Sequence, residues 1–154
     1  MGLRIIVGAD EAGVDYKETV KADLEADPRV DEVIDIGVNR GSDDFDRPYP
    51  LVGTAAGEKI AAGEADRAVL FCGTGLGVAI AANKVKGIRA VTAHDSFSVE
   101  RSILSNDAHV LTMGQRVVGL ELARRLVAEW VGYTFDTASA SAQKVAVLND
   151  YEGC

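Results

Sequence analysis

Short apolar runs alternate with segments of mixed polarity along the whole chain. The apolar runs are typical of buried strands and predict five of them, over Leu3–Ala9, Val33–Gly37, Ala68–Cys72, Ile88–Ala93 and His109–Met113. Apolar residues at helical spacing predict the helices, over Tyr16–Ala26, Leu51–Ala62, Val78–Val85, Ser96–Leu104, Gly119–Val131 and Gln143–Tyr151. Two small and polar stretches, residues 39–50 and 132–142, are expected to be loops.

Strands that alternate with helices predict an α/β fold, because each crossover helix covers one face of a parallel sheet. We expect one domain over residues 1–154, a doubly wound, Rossmann-like, three-layer αβα sandwich around a five-stranded parallel sheet. Ligands of such folds bind beyond the carboxyl ends of the strands. Asp10, Cys72, His94 with Asp95, and the segment 114–116 each follow a predicted strand. They are expected to meet on one rim.

Composition narrows the class of partner. The chain has 154 residues, of which 47% are hydrophobic and 26% charged, as in a soluble globular protein. A net charge of −8 argues against nucleic acid or an anionic membrane as the main partner, and no run is long and apolar enough to span a bilayer. Two cysteines do not make a disulfide framework, so a cytoplasmic location is expected. No Cys and His cluster has metal-binding spacing, and no metal or cofactor is expected.

The segment Cys72-Gly-Thr-Gly-Leu-Gly77 is the richest in candidate chemistry. It ends a buried strand and begins a helix, and a helix N-terminus favours both a thiolate and an oxyanion on a bound substrate. A thiolate at this position is suited to removing a proton from a carbon next to a carbonyl. The alternatives are a tight turn and a small buried hydrophobic side chain. The spacing is neither the dinucleotide fingerprint nor a phosphate-binding Walker loop.

Three further positions each have a functional and a structural interpretation. Asp10 is suited to orienting substrate hydroxyls or to capping the helix that follows. Arg116 is suited to a bidentate phosphate contact or to a surface ion pair. His94 and Asp95 are candidates for an acid–base pair, whereas His109 lies between apolar neighbours and is expected to be structural.

Several motifs occur together in an order that resembles the ribose-5-phosphate isomerase B / galactose-6-phosphate isomerase family. They are Gly8-Ala-Asp10, Cys72–Gly77, Ile80-Ala-Ala-Asn-Lys84, Gly87-Ile-Arg-Ala90, Ser105-Asn-Asp107 and Gly114–Gly119. The resemblance runs from Arg4 to about Val131. It implies a metal-free, cofactor-free aldose–ketose isomerase that acts on small phosphorylated sugars through a cis-enediolate. It also implies homodimers, with a tetramer as a further assembly, whose sites are built from two chains.

The resemblance assigns roles residue by residue. Cys72 matches the base that moves a proton between C1 and C2, and Thr74 matches a hydroxyl near the reacting end. Asp10 and Asn106 match residues that hold substrate hydroxyls, and Arg116 matches a phosphate ligand. The anion hole for the enediolate corresponds to the amides of Gly75, Leu76, Gly77, Val78 and Ala79, with Gly73 beside them. Some members carry a glutamate base at the position of Val78, and its absence here favours Cys72.

The chain departs from the family pattern where ring opening and phosphate binding are expected. Glu11 and Ser105 replace two histidines, and the segment 139–143 replaces a basic tail, with Lys144 as a substitute for one of its charges. The candidates for supplying the missing positive charge to the phosphate are Arg40, Arg47, Arg101 and His94. The helix over residues 143–151 is expected to pack on a partner subunit.

These departures favour a tetrose phosphate. Erythrose 4-phosphate carries its phosphate on O4 and cannot close a furanose ring, so its isomerase needs no ring-opening histidine. The segments 92–102 and 104–107 also resemble the subgroup that isomerises D-erythrulose 4-phosphate. Ribose 5-phosphate is the alternative substrate. A catalytically inactive sugar-phosphate-binding protein and a flavodoxin-like nucleotide-binding protein are alternatives of other classes.

Overall fold

The computed structural model describes every residue from Met1 to Cys154. Five strands alternate with the helices: β1 (Leu3–Ala9), β2 (Val30–Asp35), β3 (Arg67–Cys72), β4 (Ala90–Thr92) and β5 (Val110–Gly114). The helices are α1 (Val14–Glu25), α2 (Tyr49–Ala61), α3 (Leu76–Ala82), α4 (Ser96–Leu104), α5 (Leu120–Gly132) and α6 (Ala140–Glu152). None of the helices is long and apolar enough to cross a membrane.

The strands form one parallel sheet in the order β2-β1-β3-β5-β4. The chain therefore winds outward in both directions from the β1–β3 pair, which confirms the expected doubly wound architecture. β3 lies at the centre, between β1 and β5. In the β3–β5 register Cys72 is paired with Gly114, so both residues end at the same edge of the sheet.

The two faces of the sheet carry two separate hydrophobic clusters, because successive strand residues point to opposite faces. On one face, Val7, Phe71 and Met113 pack with residues of α1, α4 and α5, including the fully buried Trp130. On the other face, alternate strand residues such as Leu70 pack against α2 and α3. The three predicted layers are thus present, and each strand residue near the carboxyl edge is fixed by packing on one side or the other.

Element boundaries differ from the prediction for identifiable reasons. α2 begins at Tyr49, inside the stretch predicted as loop, because Pro50 occupies the first helical turn, where its missing N–H costs nothing. α3 begins at Leu76, two residues early, because Gly75 has a positive φ of 80° and turns the chain directly into the helix. β4 is only three residues long. The side-chain amide of Asn83 bonds both the N–H and the carbonyl of Ala90, each at 2.8 Å, in place of a neighbouring strand.

α6 packs only loosely on its own chain. Val145 is its one buried residue, while Val147, Leu148 and Tyr151 are exposed. Its polar contacts are few, among them a hydrogen bond of 3.1 Å from Arg89 to Asn149. The helix begins at Ala140, three residues before the predicted start. α6 therefore leaves an apolar surface exposed on its own chain.

Candidate active site

The rim at the carboxyl ends of β3 and β5 brings together several of the predicted site residues. The Gln115 N–H donates to the Cys72 carbonyl at 2.9 Å, and the Arg116 N–H donates to the Gly73 carbonyl at 3.0 Å. The Arg116 side chain crosses Gly73, since a Cβ on that glycine would lie 3.3 Å from a guanidinium nitrogen. Backbone hydrogen bonds therefore join the segments that carry the thiol and the guanidinium, at the ends of two adjacent strands.

Cys72 is nearly buried, with 5% of its surface exposed. Its Sγ accepts a hydrogen bond from the Gly75 N–H at 3.1 Å. A backbone donor aimed at the sulfur is placed to hydrogen-bond a thiolate. The structure thus gives Cys72 the donor that a proton-abstracting thiolate needs.

The start of α3 offers further backbone donors. The Leu76 N–H is occupied by the Thr74 hydroxyl oxygen at 3.3 Å. The N–H groups of Gly77 and Val78 make no hydrogen bond within the chain, as expected for the first turn of a helix. The Tyr49 ring lies directly on Gly77, where a Cβ would come within 2.3 Å of it. Leu76 is exposed, whereas Val78 and Ala79 are buried. These donors open toward the same rim as Cys72.

Asp10 lies on this rim at the end of β1 and is half-buried. Burial raises the pKa of the Asp10 carboxyl and the charge of Glu11 adds to the rise, whereas the Ala12 N–H at 3.0 Å and the charge of Arg116 oppose it. Glu11 is exposed in the turn that follows. An aspartate with one oxygen held by the backbone is suited to accepting a hydrogen bond from a substrate hydroxyl.

A buried lysine supports the segment behind Asp10. The Lys17 ammonium group is fully buried and donates to Asp35 at 2.9 Å and to Asn39 at 2.6 Å. Burial would raise the pKa of Asp35, but Lys17 and the other donors around it lower that pKa overall. The segment between Asp35 and Asn39 also bonds the backbone of Ala9. The end of β1, and with it Asp10, is thereby tied down.

His94 and Asp95 do not form an acid–base pair. The His94 Nε2 accepts a hydrogen bond from the Gly114 N–H at 2.9 Å, which requires that nitrogen to be unprotonated. Burial lowers the pKa of His94 and favours the same neutral form. Asp95 caps α4 by accepting from the Ser98 N–H at 2.7 Å, and this bond lowers the Asp95 pKa. His94 thus ties β4 to the turn that carries Arg116.

Asn106 and Lys144 do not lie on this rim but by the opposite edge of the sheet. Asn106 belongs to the segment that precedes β5, so it is at the amino edge of the sheet, whereas Cys72 is at the carboxyl edge. Asn106 and Lys144 share a cleft of about 380 Å³ with Ser105 and with residues of α6. Among the predicted site residues, these two alone are not brought to the rim by a single chain. Ser105, the replacement for a family histidine, is with them.

The four candidates for replacement phosphate charge differ in how far they are already engaged. Arg40 is paired with Asp15, and Arg47 bonds the Ile36 carbonyl. Arg101 has only Glu100 as an ionic partner, at 3.8 Å, and its Nε is buried without a hydrogen-bond partner. His94 is held as a neutral acceptor. Arg101 is therefore the least engaged of the four, and it lies in the last turn of α4, shortly before Asn106.

Sequence reasoning missed Tyr49, Thr92 and Thr112. Tyr49 falls in a stretch predicted as loop, although its ring covers the start of α3. The hydroxyls of Thr92 and Thr112 both lie within hydrogen-bond distance of the Gly75 carbonyl. A hydroxyl at the buried centre of an apolar strand was the available signal for Thr112. Outside this rim, the structure gathers no three His, Cys, Asp or Glu side chains that suit a metal ion.

Comparisons with known proteins agree with this geometry. Residues 5–148 match the sequence profile of a family described as Ribose/Galactose Isomerase. The chain is 65% identical over 153 residues to the D-erythrulose-4-phosphate isomerase 2 of Mycolicibacterium smegmatis, covering 99% of each chain. It is 41% identical over 133 residues to the ribose-5-phosphate isomerase B of Escherichia coli, covering 86% of each. The structure of the Clostridium thermocellum ribose-5-phosphate isomerase B superposes with a TM-score of 0.89, at 37% identity and 98% coverage of both chains.

Proposed function

The chain belongs to the ribose/galactose isomerase family, and from that membership we propose that it interconverts D-erythrulose 4-phosphate and D-erythrose 4-phosphate. The observation that carries the proposal is the Cys72 sulfur, held at 3.1 Å by the Gly75 N–H on the rim that also bears Arg116. An aldose–ketose isomerase needs one base beside one anion-binding surface. This rim supplies both.

Proton transfer proceeds through a cis-enediolate. The Cys72 thiolate removes the proton from C2 of the open-chain aldose as the C1–C2 double bond forms and the carbonyl π electrons move onto O1. The resulting thiol returns that proton to C1, while the hydroxyl proton on O2 passes to O1 and O2 becomes the ketose carbonyl. Thr74, whose hydroxyl is exposed at the rim, is placed to relay this second proton. One base on one face of a planar enediolate serves both carbons.

The remaining rim groups bind the substrate and stabilise the enediolate. Backbone donors that already point at the site need no reorganisation when negative charge develops, which is the main advantage of an anion hole. The unpaired N–H groups of Gly77 and Val78 fill this role for the enediolate. Asp10 holds a substrate hydroxyl, and Arg116 binds the phosphate as a bidentate donor.

The tetrose is favoured over the pentose by what the chain lacks. Glu11 and Ser105 stand where the resemblance implies histidines, and an open-chain substrate has no ring for such histidines to open. The relative from M. smegmatis bears the name of an isomerase of that tetrose phosphate. The competing substrate, ribose 5-phosphate, is named for the relative from E. coli.

A substrate comparison tests the proposal. We expect kcat/KM for D-erythrulose 4-phosphate to exceed that for ribose 5-phosphate, and Cys72→Ser to lower kcat by at least ~10²-fold, the scale of a lost positioned base. Cys154→Ser, at an exposed and chemically idle cysteine, is the matched control and should retain full activity. A clear preference for ribose 5-phosphate would reject the tetrose. Binding of both sugars without solvent proton exchange in heavy water would indicate the inactive binding protein instead.

A complete site is proposed to need two chains. Asn106 and Lys144 are separated from Cys72 by the length of the sheet within one chain, and α6 exposes an apolar surface beside them. In a two-fold dimer each chain contributes its carboxyl rim to one site and its amino edge to the other. The helix over residues 143–151 then packs on the partner, and a tetramer would pair two such dimers.

Mixing two inactive variants tests the composite site. Cys72→Ser and Asn106→Ala homodimers should each be nearly inactive. Subunit exchange between them produces dimers with one intact site, and about one quarter of wild-type activity should return when half the dimers are mixed. No recovery after demonstrated exchange would mean that each chain carries a complete site.

The two free cysteines, one of them the proposed base, fit our placement of this enzyme in the cytoplasm.

A further inference from the structure

Two threonine hydroxyls hold the carbonyl of the glycine that precedes α3. Thr92 and Thr112 are register partners on the adjacent strands β4 and β5, so their side chains point to the same face, the one covered by α3. The Thr112 Oγ1 lies 2.7 Å from the Gly75 carbonyl oxygen, and the Thr92 Oγ1 lies 3.0 Å from it. The two hydroxyl oxygens are 2.8 Å apart. Thr112 is fully buried.

The two hydroxyl protons can satisfy the Gly75 carbonyl in either of two hydrogen-bonding arrangements. Both hydroxyls can donate to Gly75, because a carbonyl oxygen has two lone pairs. Alternatively, Thr92 donates to Thr112, which donates to Gly75, and such chains strengthen each bond in them. Thr112 has the Val91 carbonyl as a longer alternative acceptor at 3.3 Å. In both arrangements the Gly75 carbonyl is satisfied from the strands rather than by water.

The same glycine is the donor to the candidate base. Its N–H points at the Cys72 sulfur, while its carbonyl points at the threonines, and a positive φ joins the two directions. On its other side Gly75 lies against the backbone of Met113, where a Cβ would come within 2.8 Å. The carbonyl and the N–H lie in two peptide planes joined at the Gly75 Cα, so holding the carbonyl while Met113 confines the Cα restricts the orientation of the donor. A residue free to rotate there would lose its aim at the sulfur.

We propose that Thr112, assisted by Thr92, is a positioning residue for catalysis: it locks Gly75 so that its N–H stabilises the Cys72 thiolate. This inference rests on the proposed role of Cys72 as the base. Neither threonine hydroxyl hydrogen-bonds the sulfur. Their effect passes through the backbone of Gly75, from its carbonyl across the Cα to its N–H. It should depend on the hydroxyl group and not on the volume of the side chain.

Three variants separate positioning from packing. Thr112→Val keeps the shape and removes the hydroxyl, Thr112→Ser keeps the hydroxyl, and Val110→Ala removes buried side-chain volume two residues earlier in the same strand, at a residue that makes no side-chain hydrogen bond. We expect Thr112→Val to lower kcat about tenfold with KM changed less than about twofold, the pattern of an interaction that matters in the transition state. Thr112→Ser should stay within about threefold of wild-type kcat. Val110→Ala should lower the melting temperature and leave kcat unchanged.

The reactivity of the thiol gives a readout that does not need turnover. In a Cys154→Ser background, the rate of Cys72 alkylation by iodoacetamide at pH 7 should fall several-fold in Thr112→Val and recover in Thr112→Ser, because the thiolate is the nucleophile. Thr92→Val should show a smaller decrease, and it serves in place of Thr112→Val if that protein does not fold.

The outcomes distinguish this inference from the proposed function. Wild-type kcat and alkylation in Thr112→Val would overturn the positioning role and leave Cys72 as the base. A loss of kcat in Val110→Ala as large as that in Thr112→Val would also overturn it, since stability alone would then explain both. An active Cys72→Ser enzyme would reject the proposed base itself.

Discussion

Replacing Gly75 by alanine tests the geometry around the thiol most directly. The residue has a φ of 80°, a left-handed conformation that costs an alanine about 1–2 kcal/mol. The new Cβ would also lie 2.8 Å from the Met113 carbonyl carbon and 3.0 Å from its Cα, inside the 3.4 Å at which ordinary contact begins. Overpacking against backbone adds about 1–3 kcal/mol. We expect the free energy of unfolding to fall by about 3 kcal/mol.

The same substitution should also lower turnover. Relief of the Met113 contact must move Gly75 by on the order of half an ångström, which misaligns both its N–H toward Cys72 and its carbonyl toward the threonines. Misplacement on this scale can lower kcat by roughly 10- to 100-fold. Steady-state kinetics on D-erythrulose 4-phosphate and urea unfolding measure the two quantities separately.

Gly63→Ala is the matched control. Gly63 has nearly the same φ, 75°, but no atom lies within 4 Å of the point that a Cβ would occupy, and it precedes β3 at the far edge of the sheet. It should lose only the conformational part, about 1–2 kcal/mol, and keep its kcat. Equal activity in the Gly75 and Gly63 variants would refute the argument that this peptide orients the thiolate donor.

Three further outcomes follow from the contacts described. Arg116→Ala should raise KM at least about tenfold with a smaller change in kcat, measured by steady-state kinetics, because a bidentate phosphate contact is made in the ground state as well; an unchanged KM would place the phosphate elsewhere. Asn83→Ala should lower the free energy of unfolding in urea by about 2–4 kcal/mol, because the buried N–H and carbonyl of Ala90 lose their partner; a loss below ~0.5 kcal/mol would contradict that account. The pKa of His94 is lowered by burial, so the unfolded state binds a proton more readily, and stability should decrease as the pH falls below about 6.5. His94→Gln, compared by urea unfolding at pH 7.5 and 5, should reduce this slope by roughly half, since burial also lowers the pKa of His109; an unaltered slope would assign it to other groups.

The order of elements and the position of the rim were predictable from the sequence. Apolar runs such as Ala68–Cys72 are buried on both faces, and burial of a whole run is the strongest local signal of a central parallel strand. The placement of Cys72 beside the 114–116 turn followed from the rule that the carboxyl ends of parallel strands share one edge. That convergence is confirmed by the register between Cys72 and Gly114.

Other features depend on contacts between residues far apart in the chain. Residues 88–93 have the composition of a full strand, but only three residues of β4 pair with β5, and the Asn83 amide takes the place of a neighbouring strand at Ala90. The role of Thr112 is invisible in its own segment, because its acceptor lies 37 residues away. Family resemblance groups Asn106 with Cys72, although a residue that precedes a parallel strand lies at the amino edge. The resemblance implies a site built from two chains, whereas the topology of the sheet places residues within one chain.

The crossing of Arg116 over Gly73 has a consequence for the length of substrate that the rim accepts. Backbone hydrogen bonds join the end of β3, which carries Cys72, to the turn after β5, which carries Arg116. With the roles proposed for these two residues, this link limits the distance between the reacting carbons and the phosphate. Chain length, more than the configuration of any one hydroxyl, is then what this scaffold measures. A different sugar is most easily accommodated by substitutions at side chains such as Glu11 and Ser105. The segments that carry Cys72 and Arg116 then keep their positions.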